Sequence, residues 1–305
     1  MDYDLLIVGG GPAGLTAAIY GCRSNLSVLV LEKLATGGTI VVSEKVTNYP
    51  GFPEGITGAE LGELFEKQAK NLGAEIKWAT VSRITDQEEV KIVSTDKEEY
   101  RCKAVIISSG TSHRSLGVPG EEKFMGRGIS TCATCDAPFF RDKKVLVVGG
   151  GNAAVQEALF LTQFAEKVYI AHRRGQLRAE KSLQEKAFEN EKIEFLWNTV
   201  VKEVVGENLV EKAVFLDSKT GEEWSLEVSG IFVYAGVQPN TFFLEDSEVK
   251  MDSKGYIQTN ENMETSVPGI FAAGDVRQRK VRQVITAAAD GAIAANKAKS
   301  YIRKS

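Results

Sequence analysis

The chain has 305 residues, enough for two domains with separate buried cores. Its 43% hydrophobic and 26% charged residues are those of an ordinary globular protein, and a formal net charge of −4 argues against nucleic acid or an anionic membrane as partner. No uninterrupted apolar stretch approaches the ~20 residues that a membrane helix needs. Met1-Asp2-Tyr3-Asp4 runs straight into Leu5-Leu6-Ile7-Val8, so no secretory leader is expected. Only Cys132 and Cys135 of the four cysteines are close in sequence, which speaks for a reducing, cytoplasmic compartment rather than a secreted disulfide scaffold.

The first element is a buried strand, Leu5-Leu6-Ile7-Val8, leading through Gly9-Gly10-Gly11 into a helix that opens on Pro12-Ala13-Gly14. A second apolar strand, Val28-Leu29-Val30-Leu31, completes a βαβ unit, the building block of doubly wound parallel sheets. Gly9 is expected to make the tight turn. Gly11 leaves room for a pyrophosphate on the helix N-terminus, and Gly14 lets that helix approach the sheet. A lone glycine match is weak, since such turns are common between any strand and helix. Here strand, helix and second strand are all present. Glu32 ends the second strand, where a carboxylate accepts bonds from a free ribose hydroxyl, so the unit suits FAD or NAD. Residues 75–101 then alternate apolar and polar, which predicts a small antiparallel sheet.

Gly117-Val118-Pro119-Gly120 has the composition of a link between domains. Beyond it, Thr131-Cys132-Ala133-Thr134-Cys135-Asp136 holds a cysteine pair two residues apart. Such a pair forms a small-ring disulfide at a helix N-terminus, where free amides and the macrodipole favour a thiolate. Zinc is the competing reading, but a closed site needs four ligands and no second pair exists; Cys22, Cys102, His113 and His172 are scattered. No metal is expected. Two inert buried thiols are the other alternative, as Cys22 and Cys102 are expected to be. Asp136 is read either as a proton shuttle for the thiols or as a plain N-cap.

The first signal then repeats. Val145-Leu146-Val147-Val148 leads through Gly149-Gly150-Gly151 into Asn152-Ala153-Ala154, and Val168-Tyr169-Ile170-Ala171 is the following strand. At the position matching Glu32 stands His172-Arg173-Arg174, with Arg178 beyond. Guanidinium groups bind a 2′-phosphate with paired, charge-assisted bonds, so this copy suits NADP; the bland alternative is a solvated helix start. Residues 193–228 predict a second small antiparallel sheet, and Gly236-Val237-Gln238-Pro239 a second link. Gly269-Ile270-Phe271-Ala272-Ala273-Gly274-Asp275 is a further buried strand, followed by a basic loop and a helix from Gln283-Val284. Its N-terminal amides suit a flavin or phosphate; Asp275 alone would also serve as a cap. The expected fold is therefore α/β, with two Rossmann-like (three-layer ββα) dinucleotide-binding domains, one inserted in the other: residues 1–115 plus 242–305, and residues 116–241.

The chain closely resembles the low-molecular-weight thioredoxin reductases of bacteria and archaea over nearly its whole length. The resemblance rests on Gly9-Gly10-Gly11-Pro12-Ala13-Gly14, Cys132-Ala133-Thr134-Cys135-Asp136, Gly149-Gly150-Gly151-Asn152-Ala153-Ala154, His172-Arg173-Arg174 with Arg178-Ala179, and Gly274-Asp275 with Arg282-Gln283. It implies a homodimer that holds FAD in the discontinuous domain and NADPH in the inserted one. It also implies that Cys135 faces the flavin, that Cys132 attacks the thioredoxin disulfide, and that Asp136 is the acid–base. Further flavin contacts implied are Glu32, Lys33, Gly38, Thr39, Asn48, Val81, Gly110 and the Arg282-Gln283-Val284 segment. Thr39 stands where the family usually has Gln, and Ala137-Pro138 where it often has Gly. Reducing equivalents are expected to pass from NADPH through FAD to Cys132–Cys135, and on to thioredoxin or a thioredoxin-like protein. A hinged rotation through the two links is expected to serve both steps. Two alternatives remain: another flavoprotein reductase, such as the flavin subunit of a peroxide-reducing system, or a non-catalytic flavin redox sensor.

Overall fold

The computed structural model describes residues 2–43 and 45–304, with the side chains of Val42, Thr134 and Cys135 outside the description. The chain divides into two compact units, Met1–Ser112 with Gln238–Ser305, and His113–Val237. The first crossing thus falls after Ser112, ahead of Gly117-Val118-Pro119-Gly120. That segment belongs to the second unit, where a Cβ on Gly120 (φ +88°) would lie 2.0 Å from the Val204 carbonyl oxygen.

The first unit begins with β1 (Tyr3–Val8), α1 (Pro12–Cys22) and β2 (Val28–Glu32). Both strands are almost wholly apolar, as strands covered on two faces must be. Pro12 at the first position suits α1, because its missing amide would have no helical partner there. A capping box between Thr57 and Glu60 starts α2 (Gly58–Asn71). Then come β3 (Glu75–Trp78), β4 (Val81–Gln87), β5 (Val90–Thr95) and β6 (Glu99–Ile107). The strand order is β3-β2-β1-β6-β5-β4. Within residues 75–101 only β4, β5 and the start of β6 are antiparallel; β3 is instead a parallel edge strand on β2. Strand β6 is long enough to pair β5 through its first half and the returning chain through its last.

The chain crosses into the second unit within β7 (Thr111–His113) and continues with α3 (Glu121–Phe124), β8 (Ile129–Ser130) and α4 (Ala133–Asp136). It continues with β9 (Lys144–Val148), α5 (Asn152–Leu161), β10 (Lys167–His172), α6 (Lys181–Phe188) and β11 (Ile193–Trp197). A three-stranded antiparallel sheet follows, β12 (Thr199–Val205), β13 (Lys212–Asp217) and β14 (Glu223–Glu227), before β15 (Gly230–Val233) re-enters the parallel sheet. The parallel order is β11-β10-β9-β15-β8, so β11, the start of the 193–228 segment, is again parallel. The chain re-enters the first unit within β16 (Val237–Pro239) and adds β17 (Ile270–Ala272), parallel to β6, and α7 (Val284–Ile302). Among the described residues no helix is long and apolar enough to cross a membrane.

Helices α1 and α7 pack through small residues; a Cβ on Gly291 would lie 2.1 Å from the Ala13 carbonyl oxygen. Gly14 is tighter still, with a virtual Cβ 1.9 Å from the Gly9 carbonyl oxygen, so its absence of side chain sets the distance of α1 from the sheet. Gly14→Ala is expected to destabilise the unit by about 1–3 kcal/mol, the cost of overpacking, and a denaturant titration checks it.

Cys102 is fully buried in β6, where burial pushes its thiol up to about 12, and the half-buried Cys22 thiol is raised by the same cause. At neutral pH a thiol-specific reagent is therefore expected to leave Cys102 untouched in the native oxidised protein and to reach it on denaturation. Rapid native labelling of Cys102 would contradict this packing.

Candidate functional sites

In the first unit a cleft of about 570 Å³ opens where β1, β2 and β17 end. Gly9 (φ +102°) turns the chain there; a side chain would meet the Ser108 carbonyl oxygen at 2.5 Å. Gly11 is different. Its virtual Cβ meets nothing closer than 3.7 Å, so no tight packing within the protein requires a glycine there. Open space at a helix N-terminus, as at α1 here, is suited to a diphosphate. Glu32 braces the rim: one carboxylate oxygen accepts the Gly10 amide at 2.7 Å, the other those of Lys33 at 2.7 Å and Leu34 at 3.0 Å.

The opposite wall comes from the end of the chain. Gly274, Asp275, Arg282, Gln283 and Val284 all line the cleft. Among the described residues Asp275 Oδ1 and Arg282 Nε are buried without hydrogen-bond partners, Arg279 Nη1 standing 3.9 Å from Asp275 Oδ1, and burial raises the Asp275 carboxyl above its ordinary range. Polar atoms left in that condition cost free energy until a ligand satisfies them. Asp290 of α7, which sequence reasoning missed, anchors this wall. It accepts the Gly274 amide at 3.0 Å and holds Arg277 at 2.8 Å and Arg279 at 2.9 Å.

In the second unit the repeated signal forms a second cradle. Gly151 caps α5, and a Cβ there would meet nothing within 4 Å. Gly150 is instead held by packing, its virtual Cβ 2.5 Å from the His172 ring. Asn152 and Glu180 bond reciprocally, and Arg178 donates its amide to the Gly150 carbonyl at 2.7 Å, so the basic loop is tied to the glycine turn. His172 is buried with Nε2 unpartnered, and burial followed by the Arg178, Arg173 and Arg174 charges lowers its pKa. Arg173, Arg174 and Arg178 are exposed, and among the described residues none pairs with a carboxylate. Guanidiniums without carboxylate partners, on a loop tied to the glycine turn that opens α5, are groups suited to binding an anion.

Cys132 lies just ahead of α4 and is disulfide-bonded; Cys22 and Cys102 are free. The Cys135 backbone is helical, and its side chain lies outside the described residues. Asp136 follows on α4, its amide donating to the Cys132 carbonyl at 3.3 Å. Pro138 stands at the start of the 3₁₀ turn Ala137–Phe140, where a missing amide is tolerated.

Residues 3–291 match the model of the pyridine nucleotide-disulphide oxidoreductase family. The chain is 47% identical to a thioredoxin reductase of Peptoclostridium litorale, over 99% of this chain and 98% of that protein. It is 46% identical to one of Bacillus subtilis, over 99% and 95%. The chain belongs to the thioredoxin reductase family. Among solved structures it is similar to Lactococcus lactis thioredoxin reductase in its FR conformation, with a TM-score of 0.90, 42% identity and coverage of 99% of this chain and 100% of that one. The T. acidophilum enzyme gives a TM-score of 0.86 at 38% identity, with 98% of each chain covered.

The cofactors of this family are FAD and NADPH, and both cradles fit them. The long cleft of the first unit, with an open diphosphate seat and an orphaned carboxylate oxygen, suits FAD. The second, with its free arginines, suits NADPH. Of the flavin contacts expected from sequence, Gly9, Gly11, Pro12, Ala13, Glu32, Gly38, Thr39 and Gly110 line the cleft with the Gly274–Val284 residues already named. Lys33, Asn48 and Val81 do not line it: Val81 packs in the core and Asn48 donates to the Gln283 side chain at 3.0 Å. Ala153 and Ala154 follow Gly151 on α5, Ala153 exposed and Ala154 fully buried. Ser108, Ser109 and Asn240 line the cleft without a sequence signal, because only β6 and the returning chain bring them there.

Because Gly151 has open space where Gly14 has none, Gly151→Ala is expected to leave the unfolding midpoint unchanged while raising the KM for NADPH about tenfold, roughly 1.4 kcal/mol of lost approach. A lowered midpoint with unchanged KM would remove the diphosphate from this cradle.

Proposed function

We propose that the chain works as an NADPH-dependent thioredoxin-disulfide reductase with Cys132 and Cys135 as its redox pair. One observation carries the reading: the disulfide-bonded Cys132 stands in the same unit as the arginine-bearing nucleotide cradle, while the first unit holds a separate flavin cleft. The first unit is the FAD-binding domain and the inserted one the NADPH-binding domain.

Bound FAD supplies the two-electron link between a nicotinamide and a disulfide. The chain's own residues do the rest. Gly11 and the start of α1 would seat the FAD diphosphate, Glu32 would brace the turn beside it, and Asp275 would offer the cofactor an acceptor. Arg173, Arg174 and Arg178 hold the 2′-phosphate of NADPH. Once the Cys132–Cys135 bond is reduced, Cys132 attacks the thioredoxin disulfide as a thiolate, and the mixed disulfide is resolved by Cys135. Asp136 moves the proton that the departing thiolate requires. The active form is a cytoplasmic homodimer.

The test is NADPH oxidation by the yellow holoenzyme in the presence of thioredoxin, with NADH as control. Turnover is expected to require thioredoxin and to prefer NADPH; flavin reduction without thioredoxin turnover would point to a different disulfide partner.

A further inference from the structure

The loop between β10 and α6 carries the arginines of the second cradle, and it ends in an acidic residue, Glu180. Arg178 stands exposed between buried Leu177 and Ala179, two residues before it. A carboxylate so near to guanidiniums is expected to pair with one, and its charge opposes any anion they hold. Yet among the described residues Glu180 bridges to no arginine. It is the N-cap of α6, but its side chain accepts no amide of that helix. The carboxylate goes instead to Asn152, the first residue of α5: Asn152 Nδ2 donates to Glu180 Oε1 at 3.0 Å, and the Glu180 amide donates to Asn152 Oδ1 at 2.8 Å. Both ends of the Asn152 amide, which the glycine signal places at the nucleotide, are thus committed to the loop.

Resting on the assignment of this cradle to NADPH, we propose that Asn152 and Glu180 are a positioning pair that sets the preference for a 2′-phosphate, by holding the arginine loop at a fixed distance from the start of α5. Asn152 directly follows Gly151, beside which space is open, and Glu180 closes the loop that bears Arg173, Arg174 and Arg178. The Arg178 amide on the Gly150 carbonyl, at 2.7 Å, is a second tie between the same two segments. The 5′- and 2′-phosphates of the nucleotide sit on one ribose, so both are held at once only if the span between their binding groups is already set. A loop free to drift would lose the 2′-phosphate and keep the rest. The hydrogen bond of Glu180 does this, and its charge works against it.

The test compares two ligands that differ only in the phosphate at issue. Binding of 2′,5′-ADP and of 5′-AMP to the oxidised holoenzyme is measured by isothermal titration calorimetry. Wild type should prefer 2′,5′-ADP. Glu180→Ala should weaken 2′,5′-ADP about fivefold and leave 5′-AMP within about twofold, the scale of one lost hydrogen bond. Glu180→Gln keeps the acceptor oxygen and drops the charge, so it should bind 2′,5′-ADP at least as tightly as wild type. Asn152→Ala should lower the preference as Glu180→Ala does, and the double variant should lower it no further, because the pair acts as one contact. Both side chains are exposed, so the fold should hold in each variant. An unchanged preference in Glu180→Ala, or equal weakening of the two ligands, would overturn the proposal. Tighter 2′,5′-ADP binding in both Glu180 variants would also overturn it, since the carboxylate would then act only through its charge. A wild type that binds the two ligands equally would overturn the NADPH assignment itself, and the proposal with it.

Discussion

Cys135→Ser is expected to abolish NADPH-driven reduction of thioredoxin, by more than about 10³-fold in kcat, as loss of a covalent participant does. A serine hydroxyl cannot form the disulfide, and its pKa keeps it from serving as the anionic nucleophile that exchange requires. The rest of the machinery should survive. The flavin cleft is built wholly from the first unit, and the NADPH cradle from the β9–α5–β10 unit, whose glycine turn and basic loop do not depend on the thiol. Bleaching of the yellow chromophore by NADPH should therefore persist in the variant, followed anaerobically by absorbance. Cys132→Ser should give the same split. Retention of thioredoxin turnover in either variant would remove the pair from the reaction.

The second large effect concerns the nucleotide. Replacing Arg173 and Arg174 together with Ala is expected to lower kcat/KM for NADPH about 10²-fold and to leave NADH nearly unchanged. Charge-assisted bonds to a phosphate are worth about 1.5–3 kcal/mol each, so losing two partly exposed ones costs roughly 3 kcal/mol. Both side chains are exposed and, among the described residues, unpaired with carboxylates, so the substitutions leave no buried charge behind and the fold should hold. An equal loss with NADH would mean that these arginines do not read the 2′-phosphate. His172 is a poorer target. Its ring lies against Gly150 in the turn, and changing it would move the diphosphate seat as well.

Much of this architecture is legible in the sequence for a local reason. A parallel strand covered on both faces must be almost wholly apolar, and a helix that seats a diphosphate needs glycine at fixed offsets from the strand. Leu5–Gly14 and Val145–Ala154 satisfy both demands within ten residues each, and the exchange of Glu32 for His172-Arg173-Arg174 separates the two cradles. The cysteine pair is equally local. Less local features read less well. Alternation at residues 75–101 and 193–228 marks strands but not their direction, and β3 and β11 proved to be parallel edges because partner choice depends on the preceding βα connection. Lys91 occupies an alternating strand yet is fully buried, its ammonium on Asp86 at 2.6 Å and near the Tyr301 ring of a helix more than 200 residues along.

The sequence by itself determined the two glycine signals, the close cysteine pair and the opposite charge at the two strand ends, since backbone approach and charge sign are properties of single residues at fixed spacing. Only the tertiary structure decided which glycines serve packing (Gly9, Gly14, Gly150) and which leave open space (Gly11, Gly151). It alone brought Asp290 under the basic loop and Tyr234 onto the Ala133 amide. Those contacts join residues far apart in the chain, and a buried polar atom finds its partner through the packing of whole elements rather than through any local pattern.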